Sequence, residues 1–199
     1  MKTIGVLGLQ GAVQEHVNQI EAAGQRAMII KHPEQLIEID GLILPGGEST
    51  TMRHFIDLYD FLQPLKQFGQ TKPIFGTCAG MVLLANELTG EEEAHLQLID
   101  ITVKRNAFGR QVDSFEAHLQ INGMSELYPA VFIRAPFIEK VSSEVEILAT
   151  YEGNIVAAKQ NNILVTSFHP ELTKDQRFMD LFIKMIKQEQ KRPNQPRPA

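Results

Sequence analysis

The five residues Gly76-Thr77-Cys78-Ala79-Gly80 leave the backbone few paths to follow. The apolar run Pro73-Ile74-Phe75 leads into them, and a helical pattern starting at Met81 leads out. A strand that turns at once into a helix forces a strained corner. Glycines on either side let the two arms close without side chains colliding. The central side chain is then held up at the turn, the geometry of a nucleophile elbow. Here that side chain is the chain's only cysteine. Most lone cysteines are small buried hydrophobes, but a core cysteine needs neither flanking glycine. A helix starting at Ala79 would also bring its positive end to a thiolate.

The rest of the N-terminal half repeats the alternation of strand and helix. Ile4 to Leu9 reads as a first strand. A helix follows from about Ala12, with Val13, Val17, Ile20 and Ala23 as its apolar face and Gly24 at its end. Ala27 to Ile30 and Gly41 to Leu44 read as further strands, the latter closed by Pro45-Gly46-Gly47. A helical pattern runs from Thr50 to Phe68 with a break near Pro64, and Met81 to Leu88 is the helix after the elbow. This alternation predicts a parallel sheet covered on both faces. From His95 to about Ile163 the pattern changes to short alternating runs: Leu98–Val103, Val112–Leu119, Val131–Ile133, Val145–Tyr151 and Ile155–Lys159. They predict an antiparallel or mixed section that extends or flanks the parallel sheet. Ile163 to Ser167 returns to a buried strand, and Gln176 to Ile186 is a closing helix with Phe178, Leu181, Phe182 and Met185 toward the core. With no internal repeat or linker, residues 1–190 read as one domain. The proline-rich stretch 191–199 reads as a disordered tail.

Composition excludes several classes of function. The net charge of −5 and the lack of a dense Lys/Arg block inside the folded region argue against a nucleic-acid partner. No stretch approaches the roughly 20 apolar residues needed to cross a bilayer, so no membrane role is expected. The apolar N-terminal run is interrupted by Gly5 and Gly8, and no small-residue cleavage site follows, so a buried first strand explains it better than a signal peptide. One cysteine cannot form an internal disulfide, which points to a reducing, cytoplasmic setting.

A thiol needs a base to ionise near neutral pH. Ser167-Phe168-His169-Pro170-Glu171 follows a buried strand predicted to end at the same sheet edge as the elbow strand. From there His169 could reach Cys78, and Glu171 could hold the other ring nitrogen, fixing its tautomer and stabilising the imidazolium. Taken alone, His-Pro-Glu is only a polar turn. The other histidines, His16, His32, His54, His95 and His118, lack that placement on sequence grounds and form no metal-ligand spacing, so no metal is expected. Pro45-Gly46-Gly47-Glu48-Ser49 could be a plain turn. At the end of a neighbouring strand, however, Gly46 and Gly47 would expose backbone N–H groups suited to an oxyanion, with the N–H of Ala79 as a further donor.

A Gly-Gly turn after the third strand, G-x-C-x-G at the elbow and His-x-Glu near the end, in that order, resemble the class I glutamine amidotransferases. Other segments are similar to the branch of that class whose members are glutaminase subunits of pyridoxal 5′-phosphate synthases. They are Gly8-Leu9-Gln10-Gly11-Ala12, Pro45-Gly46-Gly47-Glu48-Ser49-Thr50, Arg105-Asn106-Ala107-Phe108-Gly109-Arg110-Gln111, Ser114-Phe115-Glu116 and Ile133-Arg134-Ala135-Pro136. The resemblance covers all but the tail. It implies a single-domain, flavodoxin-like α/β fold and hydrolysis of L-glutamine to glutamate and ammonia, with no cofactor. It also implies a synthase partner that uses the ammonia with ribose 5-phosphate and glyceraldehyde 3-phosphate. Carried over by position, Cys78, His169 and Glu171 form a catalytic triad. Gly46, Gly47, Glu48, Arg105, Ile133 and Arg134 line the glutamine site. The two arginines would suit the substrate carboxylate and Glu48 its ammonium.

Activity that depended on the partner would spare glutamine. The surface Gln10 to Asn18 is the expected contact, with Gln10 helping to order the oxyanion site. Other readings stay open. An esterase-like α/β-hydrolase would place its acid between nucleophile and histidine, whereas Glu171 follows His169. The chain could also be the glutaminase component of a different amidotransferase. A non-catalytic module with a reactive thiol would have no use for His169 and Glu171.

Overall fold

Residues whose side chains alternate between two apolar environments build the centre of the molecule. A computed structural model describes residues 1–90, 93–105 and 114–189. Val112, most of the segment Arg105 to Gln111 and the expected tail lie outside that set. The strands β1 (Thr3–Leu7), β2 (Arg26–Ile30), β3 (Gly41–Leu44), β4 (Ile74–Thr77) and β12 (Ile163–Thr166) pair in parallel in the order β2-β1-β3-β4-β12. Ile4, Val6, Ile43, Phe75 and Leu164 face one core, where α1 (Val13–Ala22) and α5 (Arg177–Glu189) pack. Leu42, Leu44, Ile74, Ile163 and Val165 face the other, beneath α2 (Ser49–Leu58), α3 (Leu62–Thr71) and α4 (Ala79–Leu84). Apolar residues on both faces of a strand require such a double cover.

Beyond β12 the sheet turns antiparallel. It continues through β11 (Asn154–Gln160), β9 (Phe137–Val141), β6 (Ile99–Lys104) and β5 (Ala85–Leu88), while β10 (Glu146–Tyr151) also pairs with β11. The last pair, β5 with β6, is parallel again. Among the described residues this makes a ten-stranded sheet, and β7 (Ser114–Leu119) and β8 (Tyr128–Ile133) form a separate antiparallel pair. That pair joins the α1 and α5 core through Leu119, Tyr128 and Phe132. The expected α/β architecture, mostly parallel with an antiparallel addition, is the one observed.

Several elements depart from the sequence expectation. The helix after the elbow ends at Leu84, not Leu88, because residues 85–88 pair with β6, which keeps Ala85 in the core and exposes Asn86 and Glu87. The long helical pattern breaks at Tyr59–Phe61, where Asp60 takes φ 58°, and not at Pro64. Pro64 is the third residue of α3, where a missing N–H leaves no intrahelical bond unmade. Phe137–Val141 is a strand that the sequence pattern did not suggest. Among the described residues, no helix is long and apolar enough to cross a membrane.

Candidate active site

Strand register brings the predicted residues together. Thr77 pairs with Thr166 and Gly76 with Leu44, so Cys78, the turn after β12 and Pro45-Gly46 leave the sheet side by side. Cys78 adopts φ 49° and ψ −103°, the strained corner that the glycines suggested. Its N–H donates to the Thr166 carbonyl at 2.8 Å, which ties the elbow to the neighbouring strand. A side chain at Gly80 would run into the Leu44 carbonyl, and one at Gly76 would meet the Gly80 backbone at 2.7 Å. Both glycines are therefore required by the close approach of α4 to the sheet.

His169 is held by its own N–H, which donates to the Val131 carbonyl at 2.8 Å. Its Nδ1 lies 2.7 Å from Glu171 Oε1. A carboxylate at that distance places the proton on Nδ1 and leaves Nε2 free for the thiol. Nε2 is buried without a hydrogen-bond partner, and Cys78 Sγ–H donates to the Ile133 carbonyl at 3.9 Å. The thiol and the ring line the same cavity and interact, and such contacts tighten further when substrate binds. Cys78, His169 and Glu171 are only 8%, 6% and 7% exposed, so little water screens the charges they carry. Burial works to lower the pKa of His169. The opposing interactions with Cys78 and Glu171 outweigh it and push the imidazole up to about 10. Burial alone would raise the Glu171 carboxyl, but the imidazoles facing its oxygens, His16 and His169, hold it below the ordinary range. The arrangement thus favours a charged imidazolium at His169, beside the Cys78 side chain, at neutral pH.

Cys78 and His169 open into one cavity of about 330 Å³, also lined by Gln10, Gly47, Glu48, Ala79, Arg105, Ile133 and Arg134. Two predicted residues stand behind this wall. Glu171 lies beneath His169. Gly46 packs so close that a side chain there would strike the His169 ring and come within 3.5 Å of Cys78 Cβ. The Gly46 carbonyl accepts from Ala12 N–H at 3.0 Å, which fixes the plane of the Gly46–Gly47 peptide. Gln10 Oε1 accepts from Glu48 N–H at 2.9 Å and rests where a Gly47 side chain would be.

Glu48 has a second task that the sequence did not suggest. It is the N-cap of α2, accepting from the N–H groups of Thr50 and Thr51 at 3.2 and 2.8 Å and from both hydroxyls. These bonds, with that from the Thr50 hydroxyl foremost, lower its pKa to about 2. Arg105 Nη2 stands 3.5 Å from Glu48 Oε1, so the two groups expected to take opposite ends of a substrate face each other. Arg134 lines the cavity at φ 40°.

The sequence places His16 on the first helix, where the structure has it, but does not show its surroundings: it is fully buried with Nε2 3.6 Å from Glu171 Oε2. The spacing that puts it on the Ile20 face of α1 was legible. The strand crossover that carries this face to Glu171 was not.

Residues 6–188 match the profile of the SNO glutamine amidotransferase family. A protein of Bacillus velezensis named pyridoxal 5′-phosphate synthase subunit PdxT is 60% identical over 186 residues, covering 93% of this chain and 95% of that protein. A protein of the same name from a Geobacillus species is 60% identical over 189 residues, covering 94% of this chain and 98% of its own length. A crystal structure described as a glutamine amidotransferase superposes with a TM-score of 0.88 at 38% identity, covering 92% of this chain and 98% of that one.

Proposed function

The chain belongs to the SNO glutamine amidotransferase family, and from that premise we propose that it releases ammonia from L-glutamine through Cys78, His169 and Glu171 for a pyridoxal 5′-phosphate synthase. The supporting observation is the strained Cys78 sharing one cavity with His169, whose other nitrogen rests 2.7 Å from a buried carboxylate. The thiolate attacks the side-chain amide carbon of glutamine. The N–H groups of Gly46 or Gly47 and of Ala79 take the charge that develops on the oxygen. Imidazolium His169 gives its Nε2 proton to the departing amine, ammonia leaves, and a thioester remains. Water, deprotonated by His169, then releases glutamate and restores the thiol. Glu48, Arg105, Ile133 and Arg134 orient the amino-acid end of the substrate. Glu48 can do so only while capping α2, so binding there is coupled to the start of that helix.

Relatives that match over more than nine-tenths of this chain are named as subunits of a pyridoxal 5′-phosphate synthase, which supports the synthase as the ammonia acceptor. Its docking surface runs from Gln10 to Asn18. Gln10 already bonds the Glu48 N–H, so a partner touching Gln10 would act on the Gly46–Gly47 turn. The lone thiol has to stay reduced to work, which fits a reducing, cytoplasmic setting. The test is ammonia release from glutamine with and without the synthase subunit. We expect turnover that depends on Cys78 and rises with the partner. A Cys78→Ala protein that releases ammonia at the wild-type rate would exclude the assignment, and equal rates with and without the synthase would dismiss the coupling.

A further inference from the structure

His16 is a fully buried titratable group that the reaction above does not use. Its Nε2 lies 3.1 Å from the Thr77 hydroxyl and 3.6 Å from Glu171 Oε2, the carboxylate oxygen that does not bond His169. Three residues on, Gln19 donates from Nε2 to the Pro170 carbonyl at 3.0 Å. One helix face thus grips the His169-Pro170-Glu171 turn at two points. A helix covering a sheet is more cheaply faced with apolar residues, because buried polar groups cost free energy unless they are bonded. Here the polar atoms converge instead on the acid of the triad, and Glu171 Oε2 is buried with no hydrogen bond of its own.

The tautomer of His16 follows from its neighbours. A carboxylate oxygen facing Nε2 favours an N–H there over a lone pair. The groups acting on the ring are Glu171 and His169 from the turn after β12 and Glu15 from its own helix. Burial outweighs the attraction of Glu171 and keeps the ring neutral. Neutrality matters, because a charged His16 would compete with His169 for the same carboxylate.

We propose that His16 is a positioning residue for glutamine hydrolysis, a neutral imidazole whose one Nε2–H is shared between the Thr77 hydroxyl and the outer oxygen of Glu171, so that the inner oxygen stays on His169. At 3.6 Å the contact is a charge–dipole interaction and not a full hydrogen bond. The inference rests on the triad reading given above.

Because Cys78 is the only thiol in the chain, alkylation by iodoacetamide across pH reports its thiolate in the full-length protein. His16→Leu should slow alkylation near neutral pH by roughly ten-fold, move the profile to higher pH and lower kcat for glutamine by about the same factor with KM unchanged. His16→Gln, whose amide can reach the position of Nε2, should recover most of this loss. The shorter His16→Asn should not. A His16→Leu profile superimposing on wild type would overturn the proposal. Should that variant fail to fold, the Gln and Asn variants decide, and equal slowing in both would overturn it. His169→Ala separates the two levels. If it leaves the alkylation profile unmoved, the triad reading falls. If it moves the profile while the His16 variants do not, only the role of His16 falls.

Discussion

The two walls of the cavity are built differently. On one side Cys78, His169 and Glu171 are buried, anchored at the ends of adjacent parallel strands and tied by backbone bonds to Thr166 and Val131. On the other, the Glu48 and Arg105 side chains are 49% and 26% exposed and meet at the mouth. Bond-making gains from groups that are fixed and dry, where charges act at full strength and need not reorganise. Recognition of a free amino acid needs groups that exchange water for substrate. The first wall relies on backbone strain and buried charge, and the second on solvent-accessible charge.

Substitutions on the two walls should therefore fail in different ways. Cys78→Ala has the largest expected effect, a fall in ammonia release on the order of 10⁶ with the fold intact. In that protein His169 should also titrate below its wild-type value of about 10 in an NMR titration. A His169 pKa unchanged by the substitution would mean that the thiol and ring do not interact. Glu171→Gln should lower kcat on the order of 10⁴-fold by inverting the preferred tautomer of His169. A rate insensitive to this change would favour a non-catalytic thiol module. Gly46→Ala should cost about 10²-fold in kcat, since the new methyl group displaces the His169 ring, with a smaller change in melting temperature. Across the cavity, Glu48→Ala should raise KM and remove a helix cap, lowering stability by about 0.5–2 kcal/mol. Retained stability there would show that Arg105 and solvent can replace the cap.

The same contrast predicts opposite pH limits. The folded pKa of His169, about 10, lies above its ordinary 6.5. Its contribution to stability is complete below pH 6.5 and is lost as pH rises through about 10. Glu48 is lowered from 4.5 to about 2, so its contribution is present above pH 4.5 and is lost as pH falls toward 2. Melting temperatures across pH should show His169→Asn flattening the alkaline limb and Glu48→Gln the acid limb. The Glu48 effect should be the smaller, because that group is half exposed.

The wall that does the chemistry was the more legible in sequence. A G-x-C-x-G corner after an apolar run has few structural solutions, and His-x-Glu after another buried strand places itself at the same edge. Glu48 was harder to read, because a carboxylate before Ser-Thr-Thr can serve the helix, the substrate or both, and the residue types do not say which. His16 could not be assigned at all. A histidine on a buried helix face looks like a satisfied core residue until the element packed against it is known.

Local chemistry thus determined the elbow, the alternation of buried strands and helices, and which residues were equipped to react, because glycine conformational freedom and apolar periodicity act over a few residues at a time. Tertiary structure alone decided that β12 lies beside β4, that Glu48 faces Arg105, and that α1 brings His16 to Glu171. Those are contacts between residues far apart in the chain, set by how the two faces of one sheet are covered.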